Sequence, residues 1–505
     1  MPNQPSPVPR VPVGVHGLDD ILTGGLPGQR LYLVSGEPGT GKTTLALQFL
    51  LEGERLGEPG LYVTLSETAE ELRSTAASHG WSLEKITLYE LSSVEQASGL
   101  PAAQTLFHPS EVELNETTKG VLNVVERLRP QRVVFDSLSE MRLLARDPLR
   151  YRRQILSLKQ FFAGRGCTVL LLDDGSGSES DLQLESLAHG VIEMEHLSPV
   201  YGSERRRLRV KKMRGMAFRG GYHDFRITTG GIETYPRLVA SEHHETFQTE
   251  TISSGVAEVD ALLGGGIDRG TSTLLTGPAG TGKSTLALQF ALAAAAAGKR
   301  AVVYLFEEGR QTFVARARGL QMPLQDRLRD GSVVVRQVDP AELSPGELAH
   351  ELRRELAQRG GLDLFVLDTL NGFMNSMPEE RFLSLHLHEI LSFLGQLGTA
   401  SILIEAQHGL VGNQALHQLD VSYLADTVLL LRHFEALGAV RQAVSVVKKR
   451  TGTHEQTIRE LRLERGGVRL GPPLSAFQGV LTGVPTHVGS GAGLLRDSDA
   501  GPSRG

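Results

Sequence analysis

Residues 36–43 read GEPGTGKT and residues 277–284 read GPAGTGKS. Each octet follows an apolar run (LYLVS at 31–35, STLLT at 272–276) and opens the same stretch, TLALQF. A strand, a glycine-rich turn and a helix in that order make a phosphate cradle. Backbone N–H groups converge where no side chain intrudes, and the helix N-terminus adds its positive dipole end. In such a loop Lys42 and Lys283 reach the β- and γ-phosphates of ATP, and Thr43 and Ser284 bring a hydroxyl to Mg2+. Gly36, Gly39, Thr40, Gly41 and Thr44 complete the first nucleotide-binding surface; Gly277, Gly280, Thr281, Gly282 and Thr285 complete the second.

The octets belong to a longer repeat. A shift of 241 positions lays Gly14–Phe49 on Gly255–Phe290 without a gap, and 18 of the 36 aligned positions are identical. A chain of 505 residues suggests three domains at about 150 residues each. The repeat predicts two instead, with a 1–12 extension, domains at 13–243 and 244–480, and a flexible tail at 481–505. The polar stretch SEHHETFQTE marks the boundary. LYLVS, LYVTL, RVVFD and TVLLLD in the first copy correspond to STLLT, AVVYLF, LFVLD and ASILIE in the second. Short continuous apolar runs between helical stretches predict α/β domains, each a mainly parallel sheet flanked by helices. Leu383, Leu387, Ile390, Leu391 and Leu394 recur at helical spacing and predict one such helix.

Two further pairs surround the cradles. VVF-Asp136 and FVL-Asp368 are apolar strands ending in a carboxylate, the Walker B arrangement. The strand after each P-loop helix ends Leu65-Ser66-Glu67 in the first copy and Phe306-Glu307-Glu308 in the second. A carboxylate there can orient or deprotonate a nucleophile, so Glu67, Glu307 and Glu308 are the candidate catalytic acids, with Glu307 also a candidate metal ligand.

Composition narrows the alternatives. Charge is 52 minus 58, or −6, and aromatics are 5% of the chain. Both argue against a DNA-dependent recombinase or helicase, which needs a basic groove and stacking platforms. Cys167 is the only cysteine, which fits a reducing cytoplasm, and no apolar run is long enough to span a bilayer. Glycine, 57 of 505 residues, exceeds the usual share of roughly 7%.

Both copies also open with a signature, Leu18-Asp19-x-x-Leu22-x-Gly24-Gly25-Leu26-Pro27 and Val259-Asp260-x-x-Leu263-x-Gly265-Gly266. Signature, P-loop, acidic strand end and Walker B aspartate together resemble the RecA superfamily. The tandem order, with the paired Glu in the second copy, resembles the KaiC family of clock-type ATPases over residues 11–480. That resemblance implies a homohexamer with ATP between neighbours. Lys212 and Arg214, and Lys448 and Arg450, would then contact the ATP of the next subunit, and Ser78 and His454 would match further nucleotide contacts. Phe218 and Leu320 stand where the family has a histidine and a tryptophan. The resemblance also implies autophosphorylation in the second half, with Glu307 as base and Ser422 as the acceptor. Tyr423 departs from the family's Ser-Thr pair. The apolar residues within 472–483 could pack back on the domain or receive a regulatory protein. A scaffold in which ATP only sets the oligomeric state is a third reading.

Overall fold

The computed structural model describes residues 9–90, 120–145, 147–175, 184–199, 202–244, 246–248, 250–339, 341–375, 383–407, 422–481 and 486–488, with backbone alone at 144, 375, 422 and 487. Most of the expected 1–12 extension and 481–505 tail thus lies outside the described residues. The chain divides into two compact units, Met1–Arg237 and Leu238–Gly505.

The first unit is built on a nine-stranded sheet. Its parallel part runs, in spatial order, Thr87–Glu90, Gly60–Thr64, Arg132–Asp136, Thr168–Asp173, Leu31–Ser35 and Gly190–Leu197. An antiparallel meander, Arg205–Met213, His223–Thr228 and Gly231–Tyr235, extends one edge. The second unit repeats this order. Val333–Gln337, Ala301–Leu305, Leu364–Asp368, Ala400–Gln407, Ser272–Pro278 and Thr427–Ala436 are parallel. Ala439–Lys449, Arg459–Glu464 and Gly467–Pro473 then turn antiparallel. All the apolar runs expected as strands are strands, and these are two tandem RecA-like domains.

The runs are continuous because both faces of each sheet are covered. In the first P-loop strand Tyr32 and Val34 join one core, and Leu31 and Leu33 the other. The helix Lys42–Arg55 closes the first face with Leu45, Phe49 and Leu50. The helix Pro148–Ala163 closes the second with Tyr151, Ile155, Leu158 and Phe162, one stripe at helical spacing. In the second unit the helix expected from its leucines is present at Leu383–Gln396, and those leucines are buried. Each core therefore clamps a P-loop strand between helices, which fixes where its loop emerges.

The two signatures have a structural task. Asp19 accepts hydrogen bonds from the Val13 and Gly14 amides at 2.7 and 3.1 Å. Asp260 accepts from the Ser254 amide and hydroxyl, both at 2.7 Å. Each carboxylate ties the chain entering its domain to the turn before the P-loop strand. A side chain on Gly25 would meet the Val11 carbonyl oxygen at 2.5 Å, so the paired glycines let those segments touch.

Arg132 holds the base of the first Walker B strand. It is fully buried and pairs with Glu58 at 2.6 Å. It donates to the Pro12 and Phe49 carbonyls at 2.7 Å each and lies over the Phe49 ring. Leu364 occupies the corresponding strand start in the second unit. Removing a buried charge's partner costs about 3–5 kcal/mol. Arg132→Ala, which strands Glu58 and two carbonyls, is expected to destabilise the first unit by that order in denaturant unfolding.

Candidate functional site

The two P-loops emerge at the carboxyl ends of their sheets, where the neighbouring strands also end. Gly36 and Gly277 pass so close to the adjacent strand that a side chain would strike a backbone oxygen. An added Cβ would lie 2.4 Å from the Met194 carbonyl in one and 2.1 Å from the Leu431 carbonyl in the other. Gly41 and Gly282 are the helix N-caps, with φ of 101° and 96°, a conformation that favours glycine. Thr40 and Thr281 hydroxyls donate back to the Glu37 and Pro278 carbonyls at 2.8 and 2.9 Å. Gly39, Gly280, Thr44 and Thr285 complete the two loops and first helical turns.

Both P-loop lysines are buried, and each curls over its own loop. Lys42 donates to the Gly36 and Glu37 carbonyls at 2.6 and 3.1 Å and meets Asp174 at 3.0 Å. Lys283 donates to the Gly277 and Pro278 carbonyls at 2.7 Å each. Burial pushes the Lys283 ammonium down to about 8, against the pull of Asp368, Glu405 and Glu307.

The Walker B aspartates stand beside the P-loop hydroxyls. Burial lifts the Asp368 carboxyl to about 6, while a hydrogen bond from Ser284 and the charge of Arg316 oppose the rise. Burial likewise raises Asp136, which accepts from the Tyr62 hydroxyl at 2.5 Å and from Thr43. A hydroxyl bonded to a carboxylate beside a phosphate cradle is a donor set that suits Mg2+. Thr43 with Asp136, and Ser284 with Asp368, are the residues that would hold it.

The candidate catalytic carboxylates occupy a shared backbone register. Leu65 N donates to the Asp136 carbonyl at 2.7 Å, and Phe306 N to the Asp368 carbonyl at 2.8 Å. The next residue in each half, Ser66 or Glu307, is exposed at the edge. The one after it, Glu67 or Glu308, turns inward and is only partly exposed. Burial raises both inward carboxyls; the charges of Asp136 and Glu71 raise Glu67 further. Arg316 meets Glu308 at 2.9 Å and works against its rise.

Other expected residues lie elsewhere. Lys212 pairs across the sheet with Val191, the second residue of the parallel strand Gly190–Leu197. Its ammonium donates to the Glu185 and Ala188 carbonyls, and Arg214 to the Ser186 carbonyl. Lys448 pairs with Val428, and Val428 with Leu274, again near the strand start. Lys448 donates to the Ala425 carbonyl, while Arg450 meets Asp426 at 3.2 Å and donates to the Tyr423 carbonyl at 3.3 Å. Both basic pairs sit at the opposite end of the sheet from the P-loop of their own domain. Ser422 opens a short 3-10 turn, Ser422–Leu424, at that same end; its side chain lies outside the described residues. Ser78 closes the helix Ala69–Ser78, exposed, with its hydroxyl on the Thr75 carbonyl. His454 is partly exposed in the turn after Ala439–Lys449. Sequence reading missed Tyr62, Asp174, Arg316 and Glu405, which reach the site through tertiary contacts.

A family model described as "ATPase: KaiC" matches residues 11–239 and again 252–475. The chain belongs to the KaiC family. Among curated relatives, the circadian clock oscillator protein KaiC of Acaryochloris marina is 26% identical over 95% of this chain and 92% of its own. The circadian clock protein KaiC3 of Synechocystis sp. is 25% identical over 95% of each. The KaiC of Synechococcus elongatus is 26% identical over 94% of this chain and 91% of its own. The family is one of ATPases, so membership implies that this chain uses ATP. Among the described residues no helix is long and apolar enough to cross a membrane.

The raised Asp368 carboxyl has a consequence for stability. Between its ordinary value of 3.8 and about 6, the folded chain keeps a proton that the unfolded chain has released. The contribution of Asp368 to stability of the ligand-free second unit is therefore greatest below the unfolded value and is lost as pH rises through about 6. Asp368→Asn removes the buried charge. It is expected to raise ligand-free stability at neutral pH by about 2–3 kcal/mol, flatten its pH dependence, and abolish Mg-ATP turnover at that half. Thermal melts across pH check the first two outcomes.

Proposed function

We propose that both halves bind Mg-ATP, that the second half hydrolyses it, and that the same half passes phosphate to Ser422 of a neighbouring copy in a homohexamer. The observation that carries this reading is the exposed Glu307. It lies one register step beyond the buried Asp368, beside the P-loop whose lysine and hydroxyl are already in place.

In hydrolysis, water attacks the γ-phosphorus, the bond to the ADP oxygen breaks, and the water's proton passes to the Glu307 carboxylate. Phosphorylation of Ser422 follows the same path with the serine oxygen in place of water. Lys283 follows the charge on the phosphates, and the loop amides hold them still. Bound Mg2+ would neutralise phosphate charge. Lys448, Arg450 and Ser422 share the sheet end remote from their own P-loop. A head-to-side arrangement of copies that brings that end to a neighbour's ATP would deliver both the acceptor and the positive charge in trans, the logic of an arginine finger. Lys212 and Arg214 would serve the first half in the same way.

Purified protein is expected to release phosphate from Mg-ATP, to stop on chelation of the metal, and to carry phosphate on Ser422 by mass spectrometry. Arg450→Ala is expected to lower turnover at least about tenfold while leaving the ligand-free fold intact, since an arginine finger supplies up to several powers of ten. Phosphate release that never exceeds background would overturn the ATPase reading. A phosphosite map without Ser422, in protein that still turns over, would overturn the kinase reading alone.

A further inference from the structure

The two halves present different catalytic edges. After the equivalent backbone hydrogen bonds to the Walker B carbonyls, the second half puts Glu307 in the exposed position and the first half puts Ser66 there. Serine cannot take a proton from water near neutral pH. The remaining acid of the first half, Glu67, holds the inward position that Glu308 holds in the second. Arg316 holds Glu308 at 2.9 Å, but the first half has Thr75 at the corresponding place. Among the described residues, one Glu67 carboxylate oxygen is buried without a hydrogen-bond partner. It is set among Asp136 and Glu71 and lacks a cation of its own.

A second difference lies further back on the strand that leads to Ser66. Tyr62 donates its hydroxyl to Asp136 at 2.5 Å and also contacts Thr43. Val303 occupies the matching position in the second half, since Tyr62 pairs with Val134 and Val303 with Val366 in the same strand register. The first-half aspartate and its P-loop hydroxyl are thus tied to a buried phenol, while among the described residues the hydroxyl on Asp368 is that of Ser284.

We infer that the first half is a site that retains ATP unhydrolysed, and that phosphate release by this chain comes from the second half. This rests on the ATPase reading above. Its cradle is complete, with Lys42, Thr43 and the loop glycines in place, so binding is kept while the base is missing. General-base catalysis supplies about 10²–10⁴-fold, and the first half should be slower by that order.

The test uses the full chain with Mg-ATP and two readouts: phosphate release, and the ATP-to-ADP ratio of nucleotide left on the protein after free nucleotide is removed. Wild type should turn over and still carry ATP. Glu307→Gln should lose at least about 99% of the phosphate release while binding as much nucleotide. Ser66→Glu should lower the retained ATP fraction, and in the Glu307→Gln chain it should raise release at least about tenfold. Undiminished nucleotide binding shows that each variant is folded. A Glu307→Gln chain that keeps half or more of the wild-type rate overturns the inference and the part of Glu307 as base, and leaves standing only that the chain hydrolyses ATP. Ser66→Glu without effect on either readout overturns it too. A wild-type chain that releases no phosphate sinks both.

Discussion

A buried ammonium organises the carboxyl edge of each sheet. Lys42 and Lys283 are only 7% and 6% exposed, and a charge so far from water must be enclosed by oxygens. The parallel fold supplies them. The loop that carries the lysine offers its first two carbonyls, and the adjacent strands end in Asp136 and Asp173-Asp174, or in Asp368 with Glu405 nearby. Burial is why Asp368 resists ionisation and why Lys283 resists protonation, although the carboxylates around the lysine favour its charged form. The lysine's bonds to its own loop are contacts that phosphate oxygens can take over without moving the helix behind it. The site is thus assembled before nucleotide arrives, and its electrostatic tension is relieved when opposite charges enter it.

From that edge the division between the halves follows. The two domains share one topology, and the backbone hydrogen bonds at the Walker B strands show that they share its register. What differs is which atoms the register displays. One half offers a carboxylate to solvent at the site and restrains its neighbour with an arginine. The other offers a hydroxyl, and spends Asp136 on a tyrosine inside the core. Binding residues are thus common to both, whereas the residues that could move a proton are not. Binding and proton transfer rest on separate parts of the edge, so one can be lost while the other stays.

Much of this was legible in the chain itself. The P-loops and the internal repeat specify strand, turn and helix by local rules, and a continuous apolar run such as RVVFD can only be a strand covered on both faces. The difference between Ser66 and Glu307 was also visible by alignment of the copies. Its meaning was not, because the bend after the strand, where the Glu67 amide donates to the Thr64 hydroxyl, decides which residue of Ser66-Glu67 faces outward, and sequence counts carboxylates without assigning them a direction. Tyr62, Arg316 and Arg132 were illegible for another reason. Tyr62 and Arg132 make their contacts across strands, Arg316 reaches Glu308 from the second turn of the next helix, and nothing at the local level distinguishes a core tyrosine from one bonded to a Walker B aspartate.

Geometry also limits what one copy can do alone. In a parallel sheet the nucleotide lies at the carboxyl ends, while the residues beginning the strands, and those ending an antiparallel partner, lie a strand's length away. Lys212 and Arg214, and Lys448 with Arg450, are placed at that far end by pairings with Val191 and Val428. Their side chains hold nearby carbonyls or, for Arg450, Asp426, and keep the cations fixed in position. A cation fixed at the wrong end of its own domain can act on ATP only if another domain is brought to it. The arrangement therefore makes any contribution of these residues to ATP chemistry depend on the approach of another domain.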